Sequence, residues 1–130
     1  MVGIVLISHS SGLAAGTAEL VAQVAAGARV VPAGGTEDGR LGTSTDLIAA
    51  AIAKADQGAG VLLIPDMGSS VLSALSLLAD LDPEHDGKRI MIADVPFVEG
   101  ALAAAVAASA GFDLATVASA AEEARDARKL

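Results

Sequence analysis

The sequence predicts a single three-layer α/β domain, with a central, mainly parallel four-stranded sheet in order 2-1-3-4 flanked by helices. Three observations predict the layers and the parallel sheet. Short β-branched runs alternate with longer alanine-rich stretches, the strand runs are continuously apolar instead of alternating, and no repeat, linker or low-complexity segment breaks the pattern. Continuously apolar strands imply burial on both faces, so helices must cover both sides of the sheet. The 130 residues suit one domain spanning 1–130. With 53% hydrophobic residues but only two Phe and neither Tyr nor Trp, its core must be built from Ala, Val, Leu and Ile.

The elements follow in order. "GIVLIS", residues 3–8, is the first strand, and a helix is expected over about 12–26. "RVVPA", 29–33, is the second strand, followed by the glycine-rich loop "GGTEDGRLG". A helix over about 43–57 starts at a capping Thr43 or Ser44. "GVLLIP", 60–65, is the third strand, and "DMGSS" leads into a helix over about 70–81. "DPEHDGK", 82–88, reads as a turn-rich surface loop before the fourth strand, "RIMIAD". After "VPFVEG" one helix runs to about Ala110, and Asp113 caps the last one, whose end "AEEARDARKL" is expected in solvent.

Composition narrows the function. Eight Lys and Arg stand against 16 Asp and Glu, a net charge of −8, which argues against a nucleic-acid footprint or an anionic-membrane patch. An acidic surface suits docking to a basic-rimmed protein. The absence of cysteine excludes disulfides, thiolate metal sites and thiol nucleophiles. "VGIVLIS" has no basic segment before it and, like "ALAAAVAASAG", falls short of spanning length, so a cytoplasmic protein is expected.

In open parallel sheets, ligands bind where strands' carboxyl ends meet the following loops. "SHSSG", "GGTEDGRLG" and "DMGSS" all fall on that edge. His9 stands one step past the first strand among the small residues Ser8, Ser10 and Ser11. Asp66 ends the neighbouring third strand, where it can accept the Nδ1 proton of His9 and leave the Nε2 lone pair facing solvent. That arrangement makes a nucleophile. A helix cap is the rival role for Asp66, and spacing alone does not separate the two. Ser10 and Ser11 begin one helix and Ser69 and Ser70 another, so two positive helix termini near His9 would suit a dianionic group, phosphate best. Plain capping is the structural alternative for all four serines.

"GGTEDGRLG" matches neither a dinucleotide fingerprint nor a P-loop. A closing loop or a plain connection both fit it, and Arg40 either meets a phosphoryl group or is solvated. His85, amid acids in the 82–88 loop, is expected to be exposed and idle. No metal site is expected, because that loop belongs to the opposite edge of the sheet from His9. A serine hydrolase fails for want of a G-x-S-x-G elbow.

"GIVLISHSSGLAAGTAEL", "GGTEDGRLGTST", "DMGSSVLSA" and "VPFVEGALAAAV" together resemble the phosphotransferase subunit of the dihydroxyacetone kinase that draws on the phosphoenolpyruvate-dependent phosphotransferase system (PTS), whose domain is of the mannose family of enzyme IIA. The resemblance implies a phosphoryl relay in glycerol metabolism. His9 matches the phosphorylated histidine and Asp66 the supporting aspartate. The histidine-phosphorylated carrier protein would be the donor. The acceptor would be ADP held on a nucleotide-binding partner subunit, so the domain would need neither cofactor nor metal of its own. A homodimer is implied. Some members continue into fused carrier and enzyme I-like domains, whereas this chain ends at Leu130, so either the donor is separate or the chain is a piece of a longer protein.

The resulting expectation is transfer through Nε2 of His9, with Asp66 orienting the ring and Ser10, Ser69 and Ser70 meeting phosphoryl oxygens. The rivals are an enzyme IIA component of a mannose-type sugar permease and a non-catalytic module sensing phosphate or nucleotide.

Overall fold

Strand β1 (Gly3–Ser8) runs through the middle of the domain, with all six of its residues buried. The computed structural model describes residues 1–81 and 89–130, so the expectation for His85 lies outside the described residues. Along the chain follow α1 (Ser11–Val24), β2 (Arg29–Gly34), α2 (Thr45–Ala55), β3 (Val61–Pro65), α3 (Gly68–Ala79), β4 (Ile90–Ile92), α4 (Phe97–Ser109) and α5 (Leu114–Glu122). A 3₁₀ turn over Glu123–Asp126 ends the order. The strands form one sheet in the order β2-β1-β3-β4, and every pairing is parallel. In register, Ser8 of β1 stands beside Gly34 of β2, and Ile7 beside Pro65 of β3.

Two-residue alternation splits the central strands between two cores. Ile4, Leu6, Leu62 and Ile64 pack with Val21 of α1, Ala104, Ala105 and Ala108 of α4, and Val117 and Ala121 of α5. Val5, Ile7, Val61 and Leu63 pack on the other face with Ile48, Ala51 and Ala55 of α2 and Ala74 of α3. Three layers result. Alanine on the covering helices lets their backbones approach the sheet closely, which is how a chain with only two Phe fills its interior.

Burial on both faces holds for β1 and β3 but not for the outer strands. In β2 the residues Arg29, Pro32 and in β4 Met91 are exposed. The cause is position: an edge strand has one neighbour and incomplete helical cover. The fourth strand is also shorter than "RIMIAD", since pairing stops at Ile92 and only the Ala93 N–H continues toward β3, donating to the Leu63 carbonyl at 2.9 Å.

Helix α4 begins inside "VPFVEG", not after it. Pro96, with φ −59°, precedes the first turn, and its carbonyl accepts the Gly100 N–H at 2.8 Å. Proline's fixed φ suits a helix start, and its missing N–H costs nothing there. At α2 the cap is Ser44, whose hydroxyl accepts from Leu47 N–H at 3.2 Å, and Asp113 caps α5 through Thr116 N–H at 2.9 Å.

Candidate functional site

The strand order reverses between β1 and β3, since the chain leaves β1 toward β2 on one side and later enters β3 on the other. Their carboxyl ends therefore flank a crevice at the topological switch point. Ser8 and His9 leave β1 there, and Asp66 leaves β3 at the same height, its N–H donating to the Ile7 carbonyl at 2.9 Å.

The ring of His9 is held from below. Nδ1 lies 3.0 Å from Asp66 Oδ1 and 3.2 Å from Ser70 Oγ, and the His9 backbone N–H donates to Asp66 Oδ2 at 3.1 Å. One carboxylate thus grips both the backbone and the side chain of the same residue. It is itself saturated: Ser8 Oγ donates to Oδ2 at 2.9 Å, Ser70 Oγ to Oδ1 at 2.6 Å, and Met67 N–H to Oδ1 at 2.8 Å. Burial pushes the Asp66 carboxyl up, but the hydrogen bonds from Ser70, the His9 backbone, Ser8 and the His9 ring outweigh it and hold the group at about 2. A carboxylate so placed orders Nδ1 to carry the ring proton, which makes Nε2 the acceptor nitrogen.

Side-chain exposure is 22% for His9 and 6% for Asp66, so the ring reaches solvent while its support stays inside. On the outer side, the exposed Ser69 hydroxyl contacts Nε2. With the proton on Nδ1, that hydroxyl donates. The unhindered Nε2 expected from the sequence therefore carries a serine lid of one rotatable hydroxyl.

Of the five site residues singled out in the sequence, His9, Asp66, Ser69 and Ser70 come together, from two segments: the turn after β1 and the turn from β3 into the start of α3. Ser10 stands apart from the ring. Its hydroxyl accepts from Leu13 N–H at 3.2 Å and caps α1. The Ser70 hydroxyl is fully buried on the Nδ1 side, so its partners are Asp66 and the inner nitrogen instead of the outer face where a phosphoryl group would arrive. Asp66 precedes Met67, the residue before α3, and Met67 contributes no side-chain cap. The first-turn N–H groups of Gly68 and Ser69 have no intrahelical acceptor and remain available for an anion.

Sequence reasoning missed Ser8 as more than a small neighbour. It is fully buried, donates to Asp66 and accepts from Ser10 N–H at 3.0 Å. The signal was present as a hydroxyl at the last position of an otherwise wholly apolar strand. Arg40 is committed within its own loop, with Nη2 at 2.6 Å from Asp38 Oδ2. That loop is tied to the site by backbone, Gly42 N–H donating to the His9 carbonyl at 2.9 Å and Gly35 N–H to that of Ser8 at 3.1 Å. Thr43 Oγ1 and Ser73 Oγ, 2.6 Å apart, join it to α3. Gly34 allows the crowding here, because a Cβ at that position would sit 2.5 Å from the Ser10 carbonyl oxygen.

No cluster of three or more His, Cys, Asp or Glu able to hold a metal occurs among the described residues. Among those residues no helix is long and apolar enough to cross a membrane.

Fold and site together define a parallel α/β domain that presents a carboxylate-oriented histidine at its switch point. Residues 3–118 match the family model EIIA-man, described as the PTS system fructose IIA component, and the chain belongs to that family. Among curated relatives, a Listeria innocua protein described as the phosphoryl donor subunit DhaM of PEP-dependent dihydroxyacetone kinase 2 is 40% identical over 107 residues, covering 82% of this chain and 85% of that protein. A Lactococcus lactis protein described as the phosphotransferase subunit DhaM of PTS-dependent dihydroxyacetone kinase is 35% identical, covering 84% of each chain. The Escherichia coli phosphoryl donor subunit DhaM is 37% identical over 88% of this chain, which spans only 25% of that protein. A crystal structure of an unknown-function protein superposes with a TM-score of 0.86 at 32% identity, covering 98% of this chain and 96% of the other. The resemblance carried by the four motifs is thereby shown.

Proposed function

We propose that this chain is the phosphoryl donor subunit of a PTS-dependent dihydroxyacetone kinase, acting as one phosphotransferase domain over residues 1–130. The observation that carries the proposal is the His9–Asp66 pair at the switch point, in a chain 40% identical to a named donor subunit over most of both lengths. In this reading Nε2 attacks the phosphorus of the histidine-phosphorylated carrier protein, the carrier's P–N bond breaks, and a P–N bond to His9 forms. A terminal phosphate oxygen of ADP, held on the nucleotide-binding kinase subunit, then attacks the same phosphorus; a P–O bond forms, the P–N bond to His9 breaks, and Nε2 regains its lone pair. Nothing in this relay requires a cofactor or metal on the donor chain itself.

The local chemistry supports both half-reactions. A hydrogen bond from Nδ1 to a fixed carboxylate stabilises the positive charge that the ring acquires on attack. Ser69, rotated off Nε2, is placed to donate to a phosphoryl oxygen, as are the N–H groups at the start of α3. The hydroxyls of Ser10 and Ser70 already have protein partners, so their share is to hold the helix start and the aspartate. The proposal further includes a cytoplasmic homodimer.

Incubation with phosphoenolpyruvate, enzyme I and the carrier protein should yield an acid-labile, base-stable phosphate on the protein, detected by mass spectrometry under non-acidic conditions. His9→Ala should carry none; phosphate retained in that variant would remove the proposal. The family description as a fructose IIA component keeps a sugar-permease component as a second reading. Acceptance of phosphate without stimulation of the kinase subunits would favour it.

A further inference from the structure

We propose that Ser8 is a positioning residue that acts through Asp66 to keep the ring proton of His9 on Nδ1. Its relevance to phosphoryl transfer rests on the function proposed above; its effect on the histidine does not. The two hydrogen bonds at Ser8 have a fixed direction. The Ser10 N–H can only donate, so it occupies a lone pair of Ser8 Oγ at 3.0 Å, and the Ser8 proton is free to point at Asp66 Oδ2, 2.9 Å away. A chain of donors therefore runs from the residue capping α1, through a buried hydroxyl, into the carboxylate, and its members polarise one another.

The consequence falls on geometry first. Oδ2 accepts from Ser8 and from the His9 backbone N–H, while Oδ1 accepts from Ser70 and Met67 N–H and faces Nδ1. With both oxygens anchored, the carboxylate plane cannot rotate, and Oδ1 stays aimed at the ring. Without Ser8, Oδ2 keeps one donor, and the Ser10 N–H loses its acceptor in the interior. The carboxylate then gains freedom to turn or to take up a proton, and a protonated Asp66 would no longer hold a proton on Nδ1. His9 is the one titratable group that hydrogen-bonds or ion-pairs with Asp66 among the described residues. Ser8 itself is fully buried, so solvent does not replace its hydroxyl readily.

The test is a nuclear magnetic resonance titration of the full, isotope-labelled chain, wild type against Ser8→Ala, following the Asp66 carboxyl carbon and both ring nitrogens of His9. In wild type the neutral ring should be the Nδ1–H form. In Ser8→Ala the Asp66 midpoint should rise toward the ordinary carboxylate range and the Nε2–H form should appear, while Ser8→Thr, which retains the hydroxyl, should restore both signatures. Phosphoryl acceptance from the carrier should fall about tenfold in Ser8→Ala, the loss of one hydrogen bond to a charged group, with KM for the carrier unchanged. Should Ser8→Ala fail to fold, Ser8→Cys fills the space with a weak donor and should shift both signatures in the same direction. An unchanged Asp66 titration and an unchanged tautomer in a folded variant, whatever its stability, would overturn the proposal. If wild-type His9 accepts no phosphoryl group, the functional proposal falls, and the titration still decides the role of Ser8.

Discussion

The two loops that leave the central strands have similar lengths and serine-rich sequences, yet they spend their polar groups differently. After β1, Ser10 turns its hydroxyl back on its own helix and caps α1 through Leu13 N–H. After β3, the residue before α3 is Met67, which has no capping side chain, and the polar groups on either side of it face the neighbouring loop. Asp66 accepts from Ser8 and from the His9 backbone, and Ser69 and Ser70 reach the two ring nitrogens. A helix start that gives up its own cap leaves a carboxylate and two hydroxyls to work across the crevice. One segment supplies the histidine, caps its own helix and anchors the far carboxylate oxygen through Ser8; the other supplies the groups that touch the ring.

The sharpest way to break this contrast is Asp66→Asn. The amide keeps the shape but cannot balance a charged ring, so phosphoryl acceptance should fall roughly a hundredfold with the fold intact. Single-turnover transfer from the carrier measures it; wild-type rates would show that the β3 loop does not orient His9.

Gly34→Ala attacks the other loop. Its Cβ would meet the Ser10 carbonyl oxygen at 2.5 Å and Ala14 Cβ at 2.8 Å, both at the start of α1. Displacing that start from β2 should cost roughly 2–3 kcal/mol in urea unfolding.

Acid should expose the β3 loop selectively. Asp66 is held at about 2 against an ordinary 3.8, so its folded-state carboxyl is depressed and the charged form favours the fold. That contribution, about 2 kcal/mol, is complete above pH of about 4 and disappears as the pH falls through about 2. Urea titrations between those limits should show a shallower pH dependence for Asp66→Asn than for wild type. Equal slopes would mean that the carboxylate is not held.

Ser10→Ala is the mildest. Loss of the cap should lower stability by about 1 kcal/mol, read as a lower Tm. A larger drop, accompanied by a changed Asp66 titration, would show that the capping hydroxyl also steadies the Ser10 N–H that feeds the link through Ser8 to Asp66.

Much of this was legible in the residues. Unbroken apolar runs marked the strands for burial on both faces, which holds for β1 and β3 and fails at the edges, and a histidine between a buried strand and a run of serines marked the ligand edge. The start of α4 was not legible, because Pro96 reads as a breaker unless the carbonyl it offers to Gly100 is seen. The roles of the serines were not legible either. Ser8, Ser10, Ser69 and Ser70 are chemically alike, and only their positions separate an aspartate clamp, a helix cap, a cover over Nε2 and a support beneath Nδ1.

What the sequence by itself determined was the fold class and the placing of His9 and Asp66 on the ligand edge of the sheet, because hydrophobic periodicity and the ends of parallel strands are local or nearly local properties, whereas spacing left Asp66 between ring support and helix cap. The tertiary structure alone decided which oxygen faces which nitrogen, which serine is buried and which is on the surface. Those depend on residues about 60 positions apart meeting across the β1–β3 crevice at hydrogen-bond distance, where a few tenths of an ångström separate a donor from a bystander.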